Sequence, residues 1–366
     1  MDRKTIENTA TLFFCTTIMM FLCTEIILNL TPPISRDALI HHLAVPKLWL
    51  KHGGFYEIPW AEYSYYPMNI NLTYLVCLYF KNDVVPKFIH LGFGLGTGWL
   101  IYLYLKEKFD RNWALLGMII FITTPIVVWL STSAYIDLGM TFFTTGSVLA
   151  FIKWRDSDYS RFKWILISSI CMGIAIGSKY NALIAWFIVN LMLMLSYVRD
   201  TNRQADALQY GILFFVITAL VASPWYLKNY LQTGNPFYPL FNSIFKLLHH
   251  QPVQEVLYGQ AIKKAGKTSF FTLRKVMYGE SFWETLLIPI RMFFQGKDNS
   301  YQYFQGSLNP ILILFLPFVW LNKRYAKDKF LFVSFSIIFI IMAFFLTAKQ
   351  VIHKSRLSVR ARSERL

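Results

Sequence analysis

The chain has 366 residues, 55% of them hydrophobic and 15% charged. Apolar runs near membrane-spanning length recur between polar breaks, which excludes a soluble domain, because backbone groups in lipid must pair within helices. The net charge of +16 suits cytoplasmic anchoring of loops better than nucleic-acid binding.

Met1–Thr9 is short and polar, with Arg3 and Lys4, and is expected in the cytoplasm. Ala10–Thr31 is the first span. It is too long for a signal-peptide core, and Pro32-Pro33 follows it instead of a small-residue cleavage site, so it reads as a retained anchor. Glu25 within it is costly in lipid and should face the bundle or the outer boundary. Cys15, Cys23, Cys77 and Cys171 form no Cys-x-x-Cys pair and read as small packing residues.

Pro32–Pro86 sets the topology. Arg36–Lys51 reads as a surface helix with Leu39, Leu43, Leu48 and Leu50 inward, ended by Gly53-Gly54. Phe55–Tyr66 has the Tyr, Trp and Pro content of the interfacial belt. Asn69–Phe80 is apolar but only a dozen residues long, which suits a segment lying flat in the interface. Spans are then expected at 87–105, 112–130, 138–152, 164–177, 182–198, 210–227, 308–320 and 330–346. With the first, that makes about nine. The loops 106–111, 153–163, 199–203 and 323–329 are basic, and the turns 131–136 and 178–181 hold one cation, Lys179. The positive-inside rule therefore favours the flat reading, which puts Asp37 and Asp137 on the same outer side.

A single transmembrane domain is expected over 1–348, with a first outer loop at 32–86 and a long outer loop at 228–307. A basic tail at 349–366 follows. Phe282–Phe294, around Glu284 and Arg291, reads as a further interfacial helix. Gly92, Gly94, Gly96 and Gly98 suit close helix packing, since no strand precedes them.

Asp37 is the first candidate for chemistry. A partly desolvated carboxylate at a membrane boundary suits a general base acting on a hydroxyl or amine. Arg36, Lys47, His41 and His42 stand near it in sequence as partners or substrate contacts. The competing reading is that Ser35 or Asp37 only caps a helix. Asp137, at the outer start of a span, is the second acid, and it too can be read as a cap. Lys179, in Gly177-Ser-Lys-Tyr180, suits a phosphate or a lipid head group. Lys228 and Asn229 share that ambiguity. Adjacent histidines on a helix diverge by about 100°, so neither His41-His42 nor His249-His250 reads as a metal site.

In order and spacing these residues resemble the GT-C fold membrane glycosyltransferases, specifically the bacterial family 39-like and lipid A aminoarabinose transferase-like group. The resemblance runs from about residue 10 to about residue 346 and rests on the stretch 35–50, Tyr65-Tyr66-Pro67, Ala134-Tyr135-Ile136-Asp137, Gly177–Tyr180, Ser223–Asn229 and Thr233–Pro239. It implies an all-α polytopic membrane protein, a GT-C-like bundle with outer-face juxtamembrane helices. It also implies transfer of a sugar from a polyprenyl-phosphate donor to a lipid or glycan acceptor, such as a cell-envelope or lipopolysaccharide glycan, on the outer face of the bacterial inner membrane. Asp37 would be the base, and Asp137 would orient the acceptor or support Asp37. Lys179 and Lys228 would hold the carrier phosphate, with Tyr66, Tyr180 and Asn229 beside the substrates. Where many relatives carry a second acid, Ala38 follows Asp37, so no cofactor is expected and a divalent metal is not favoured. The basic tail also departs from the pattern and reads as a shortened C-terminus. The alternatives are a transporter or flippase for a lipid-linked glycan, and an inactive truncated relative.

Overall fold

The computed structural model describes residues 2–242, 244–245, 270–297, 302–303, 306–319 and 325–343. The His249-His250 pair, the basic tail at 349–366 and parts of the last two expected spans lie outside the described residues. The described residues are helical without a strand, and the chain is an all-α polytopic membrane protein. It divides into two compact units after Asn242.

In the first unit, α1 (Arg3–Asn29), α4 (Val85–Lys108), α9 (Ala182–Thr201) and α10 (Gln204–Thr233) are long and apolar enough to cross a membrane. A fifth span arises if α5 (Arg111–Ile122) and α6 (Pro125–Ser131), bent by 66°, count as one. The straight span expected at 112–130 breaks because Pro125 has no amide to donate and starts a new helix after Thr124. Two further expected spans correspond to α7 (Asp137–Asp156) and α8 (Phe162–Ile176). α7 carries charges at both ends, and α8 has 15 residues, about 22 Å of helix. Neither reaches the length and hydropathy of a free-standing span, and they pack on each other through Ser147 Oγ and Ser168 Oγ at 3.1 Å.

α1 is pinned at its C-terminal end. Buried Glu25 accepts from Ser131 Oγ at 2.7 Å. The Lys87 ammonium donates to the carbonyls of Leu28 and Thr31 at 3.1 and 3.0 Å, a cation where the helix dipole favours one. α10 runs for 30 residues around an internal Pro224, about 45 Å if straight.

The segment between α1 and α4 is ordered. Ala38–His42 forms a π-helical turn, with the Leu43 amide donating to Ala38 O at 2.9 Å. α2 (Ala44–His52) follows and ends at Gly53, whose φ of 82° suits a residue without a Cβ. The wider turn changes the expected face: Leu43 is buried, but Leu39 is 51% exposed. A 3-10 turn (Glu62–Tyr65) leads to α3 (Asn69–Tyr79). With 11 residues, about 16 Å of helix, α3 is too short to cross a hydrocarbon core of about 30 Å.

Asn69 ties α3 to the bundle. Its amide donates to Gly177 O at 2.9 Å, and its Oδ1 accepts from Trp225 Nε1 at 2.6 Å. A Cβ on Gly177 would stand 2.2 Å from Asn69 Nδ2, so only glycine permits this approach.

In the second unit, Phe282–Phe294 is two short helices, Phe282–Leu286 and Ile288–Arg291. Ser281 and Glu284 form a capping box at the start of the first. Glu280 is paired with Arg274 at 2.5 Å and with Arg291 at 3.1 Å.

Candidate active site

The two acid-bearing segments meet. Ala38 and Leu43 share one apolar core with Ile70 and Tyr74 of α3 and with Ala134, Tyr135 and Ile136. Ser35 Oγ lies 2.9 Å from Ser133 Oγ. The main chain of Asp37 lies beside the Tyr135 phenol, and the charges of Asp37 and Asp137 both bear on it. Burial, then Asp37 and Asp137, push the phenol upward from its ordinary pKa, so it stays protonated. The Tyr74 hydroxyl donates to Tyr135 O.

The two carboxylates differ. Asp37 is exposed and offers no side-chain cap to the turn that follows it. Asp137 accepts from Lys179 Nζ at 2.6 Å, both side chains being 28% exposed. Asp37 stands at the N-cap position of the π-helical turn without a side-chain cap bond, and the cap position of α7 belongs to Ile136 rather than Asp137. The Lys179 ammonium is engaged by this acid rather than standing as a lone cation.

The histidines form the neighbouring wall. The His41 and His42 rings touch, with centroids 3.9 Å apart, and His41 stacks on Tyr63 at 4.5 Å. His42 is buried, and Asn71 Nδ2 donates to its Nδ1 at 3.1 Å and to its carbonyl at 3.0 Å. Burial first, then the charges of His41 and Lys179, hold the His42 imidazole well below its ordinary pKa, so the ring is neutral.

A second cluster surrounds Lys228. Its ammonium donates to Ser64 O at 2.6 Å. It also lies 5.3 Å from the Trp225 ring centroid, 5.9 Å from Tyr65 and 6.0 Å from Trp49, an aromatic cage. Asn229 is buried and donates to Tyr65 O at 2.6 Å and to the Tyr180 hydroxyl at 3.0 Å. Tyr66 joins the two clusters, contacting Tyr63 at 5.5 Å and Tyr180 at 5.3 Å. Its phenol is pushed up to about 12 by burial and by Glu62. Trp49 also lines a cavity of about 490 Å³ with Leu50, Phe55, Leu75, Leu78 and Tyr79, and Lys81 at its margin.

Of the residues singled out from sequence, Asp37, His41, His42, Asp137 and Lys179 fall in the first cluster. Tyr66 and Tyr180 lie between the clusters, and Lys228 and Asn229 fall in the second. Arg36 and Lys47 are exposed on the same loop. Sequence reasoning missed Tyr135, Asn71, Tyr74, Trp49 and His90. The signal for His90 was its position, an ionisable ring inside an apolar span. Among the described residues, no three His, Cys, Asp or Glu side chains group as a metal site.

The sequence profile of the dolichyl-phosphate-mannose-protein mannosyltransferases matches residues 61–245, just over half of the chain. No curated protein and no solved structure matches the chain.

Proposed function

Because the chain belongs to the dolichyl-phosphate-mannose-protein mannosyltransferase family, a family of membrane glycosyltransferases that use lipid-linked sugar donors, we propose that Asp37 is the general base of the transfer and that the carrier phosphate lies against Lys228. Asp37 takes the proton of an acceptor hydroxyl, whose oxygen attacks the anomeric carbon. The bond from that carbon to the phosphate oxygen breaks, and polyprenyl phosphate leaves. Lys228 stabilises the charge that develops on the leaving phosphate. Asp137, neutralised by Lys179, positions the acceptor. This reading gives the phosphate to lysine, so it requires no divalent ion.

The observation that carries it is the shared core and the Ser35–Ser133 bond, which bring the Asp37 segment onto the residues just before Asp137. That contact supports a single reaction space for Asp37 and Asp137. Two further features support the donor side. Lys228 has ammonium donors beyond its bond to Ser64. Trp49 belongs to its cage and also to the apolar cavity, which suits the first units of a prenyl chain. The acceptor side faces the outer surface of a bacterial inner membrane in this reading, where cell-envelope glycans are built. The sugar is a hexose or a pentose.

The test is transfer from radiolabelled polyprenyl-phosphate mannose in proteoliposomes, with membrane lipids and with protein as separate acceptors. Turnover by the native chain, lost in Asp37→Asn at unchanged thermal stability, is the expected result. Translocation of the donor without transfer would instead favour a flippase.

A further inference from the structure

His90 of α4 is fully buried, and both of its ring nitrogens are used by main-chain groups of another part of the chain. The Leu138 amide donates to Nε2 at 2.9 Å. Nε2 therefore carries a lone pair, and the neutral ring has its proton on Nδ1. That nitrogen lies 2.9 Å from both Leu130 O and Ser133 O, where it donates. One side chain thus grips the end of α6, the linker and the first turn of α7. The linker holds Ser133, bonded to Ser35, and Tyr135, which shares a core with Ala38 beside Asp37. Asp137 follows it.

α7 needs this grip. A helix start leaves unpaired amides that Ser, Thr, Asp or Asn at the cap position usually satisfies. The cap residue here is Ile136, which has no side-chain acceptor. The Leu138 amide, second in the helix, finds its acceptor on α4 instead. We infer that His90 is a positioning residue that caps α7 from another helix and thereby sets Asp137 against Lys179. The inference rests on the proposed glycosyl transfer only for its effect on turnover; its effect on the ion pair stands alone.

Two substitutions separate the two halves of the ring. His90→Asn keeps a donor near Nδ1 but loses the acceptor for Leu138. His90→Gln can place its carbonyl oxygen where Nε2 stood. The full-length chain in nanodiscs is treated with an amine-acetylating reagent, and labelling is read at each lysine by mass spectrometry, with Asp137→Asn as the reference for a broken pair. His90→Asn should label Lys179 about fivefold faster, near the Asp137→Asn rate, as expected for loss of a partly exposed ion pair. Exposed Lys47 and Lys81 should not change. His90→Gln should keep Lys179 within about twofold of the native rate, the margin of a surface pair left intact.

In the transfer assay, His90→Asn should lower kcat by at least about tenfold with the KM for donor nearly unchanged, the signature of a misplaced group. His90→Gln should recover most of it. Native labelling of Lys179 in folded His90→Asn would overturn the inference, as would equal effects of Asn and Gln. If His90→Asn fails to fold, His90→Gln decides: an exposed, fast-labelling Lys179 in that folded variant overturns it. If no variant and no native protein transfers sugar, the functional reading fails, and the labelling still tests the inference.

Discussion

The acid cluster and the lysine cage handle charge in opposite ways. At Asp137 an anion is answered by a cation at 2.6 Å, and neither is left over. At Lys228 the cation is faced by three aromatic rings and one carbonyl, with Glu57 acting on it from beyond ion-pair distance, so it is sheltered without a directly paired anion. Pairing fixes geometry, while an aromatic cage holds a charge in place and leaves it able to attract an anion. Asp37 is the counterpart of Lys228 on the acid side, an exposed charge beside a paired one.

The comparison breaks most visibly at Asp37. Asp37→Asn should lower turnover by about 10²–10⁴-fold, the usual worth of a general base, at an unchanged Tm. Next is Lys228→Met, which keeps the bulk and removes the charge. Transfer kcat/KM should fall by about 10–100-fold, as for loss of a charge-assisted contact worth about 1.5–3 kcal/mol. Stability should hold or rise, because the aromatic rings lose a desolvated cation. A fall in stability comparable to the loss of activity would make Lys228 a structural residue.

The third test is pH. His42 has a depressed folded pKa, so the unfolded chain binds a proton that the folded chain refuses. Its contribution is fully present above the unfolded value near 6.5 and declines as pH falls below it. Between pH 6.5 and 5 the loss should approach about 2 kcal/mol, read as a falling Tm. His42→Gln should flatten that slope. The smallest effect is expected for Asp137→Asn on stability, about 1 kcal/mol, because the pair is partly exposed and salt-screened. Its loss should shrink further at high ionic strength.

The long apolar helices were legible in the sequence because length and hydropathy alone define them: α1, α4, α9 and α10 stand within a few residues of the expected limits, apart from a longer start to α1 and an extension at both ends of α10. The meeting of the segments that carry Asp37 and Asp137 was legible too, since an α3 of 11 residues is too short to carry the chain across. The break before α6 was signalled by Thr124-Pro125 but outweighed by the apolar run around it. Leu39 was misplaced because the inward face was drawn with α-helical spacing through what is a π-helical turn. The contacts of His90 and Tyr135 were not legible, although the first is an ionisable ring inside an apolar span and the second lies in the Ala134–Asp137 motif. Their partners are main-chain groups about 40 residues or more away along the chain, and no local spacing encodes such contacts.

The length of α10 has a consequence for traffic in the membrane. With Gln204 set at one edge of the hydrocarbon and the axis untilted, Lys228 lies about 36 Å along it, past a layer of about 30 Å and so at the level of the head groups. That depth is where the phosphate of any anchored lipid already resides. A carrier would then reach the lysine by lateral diffusion alone, with no step that lifts it out of its own leaflet.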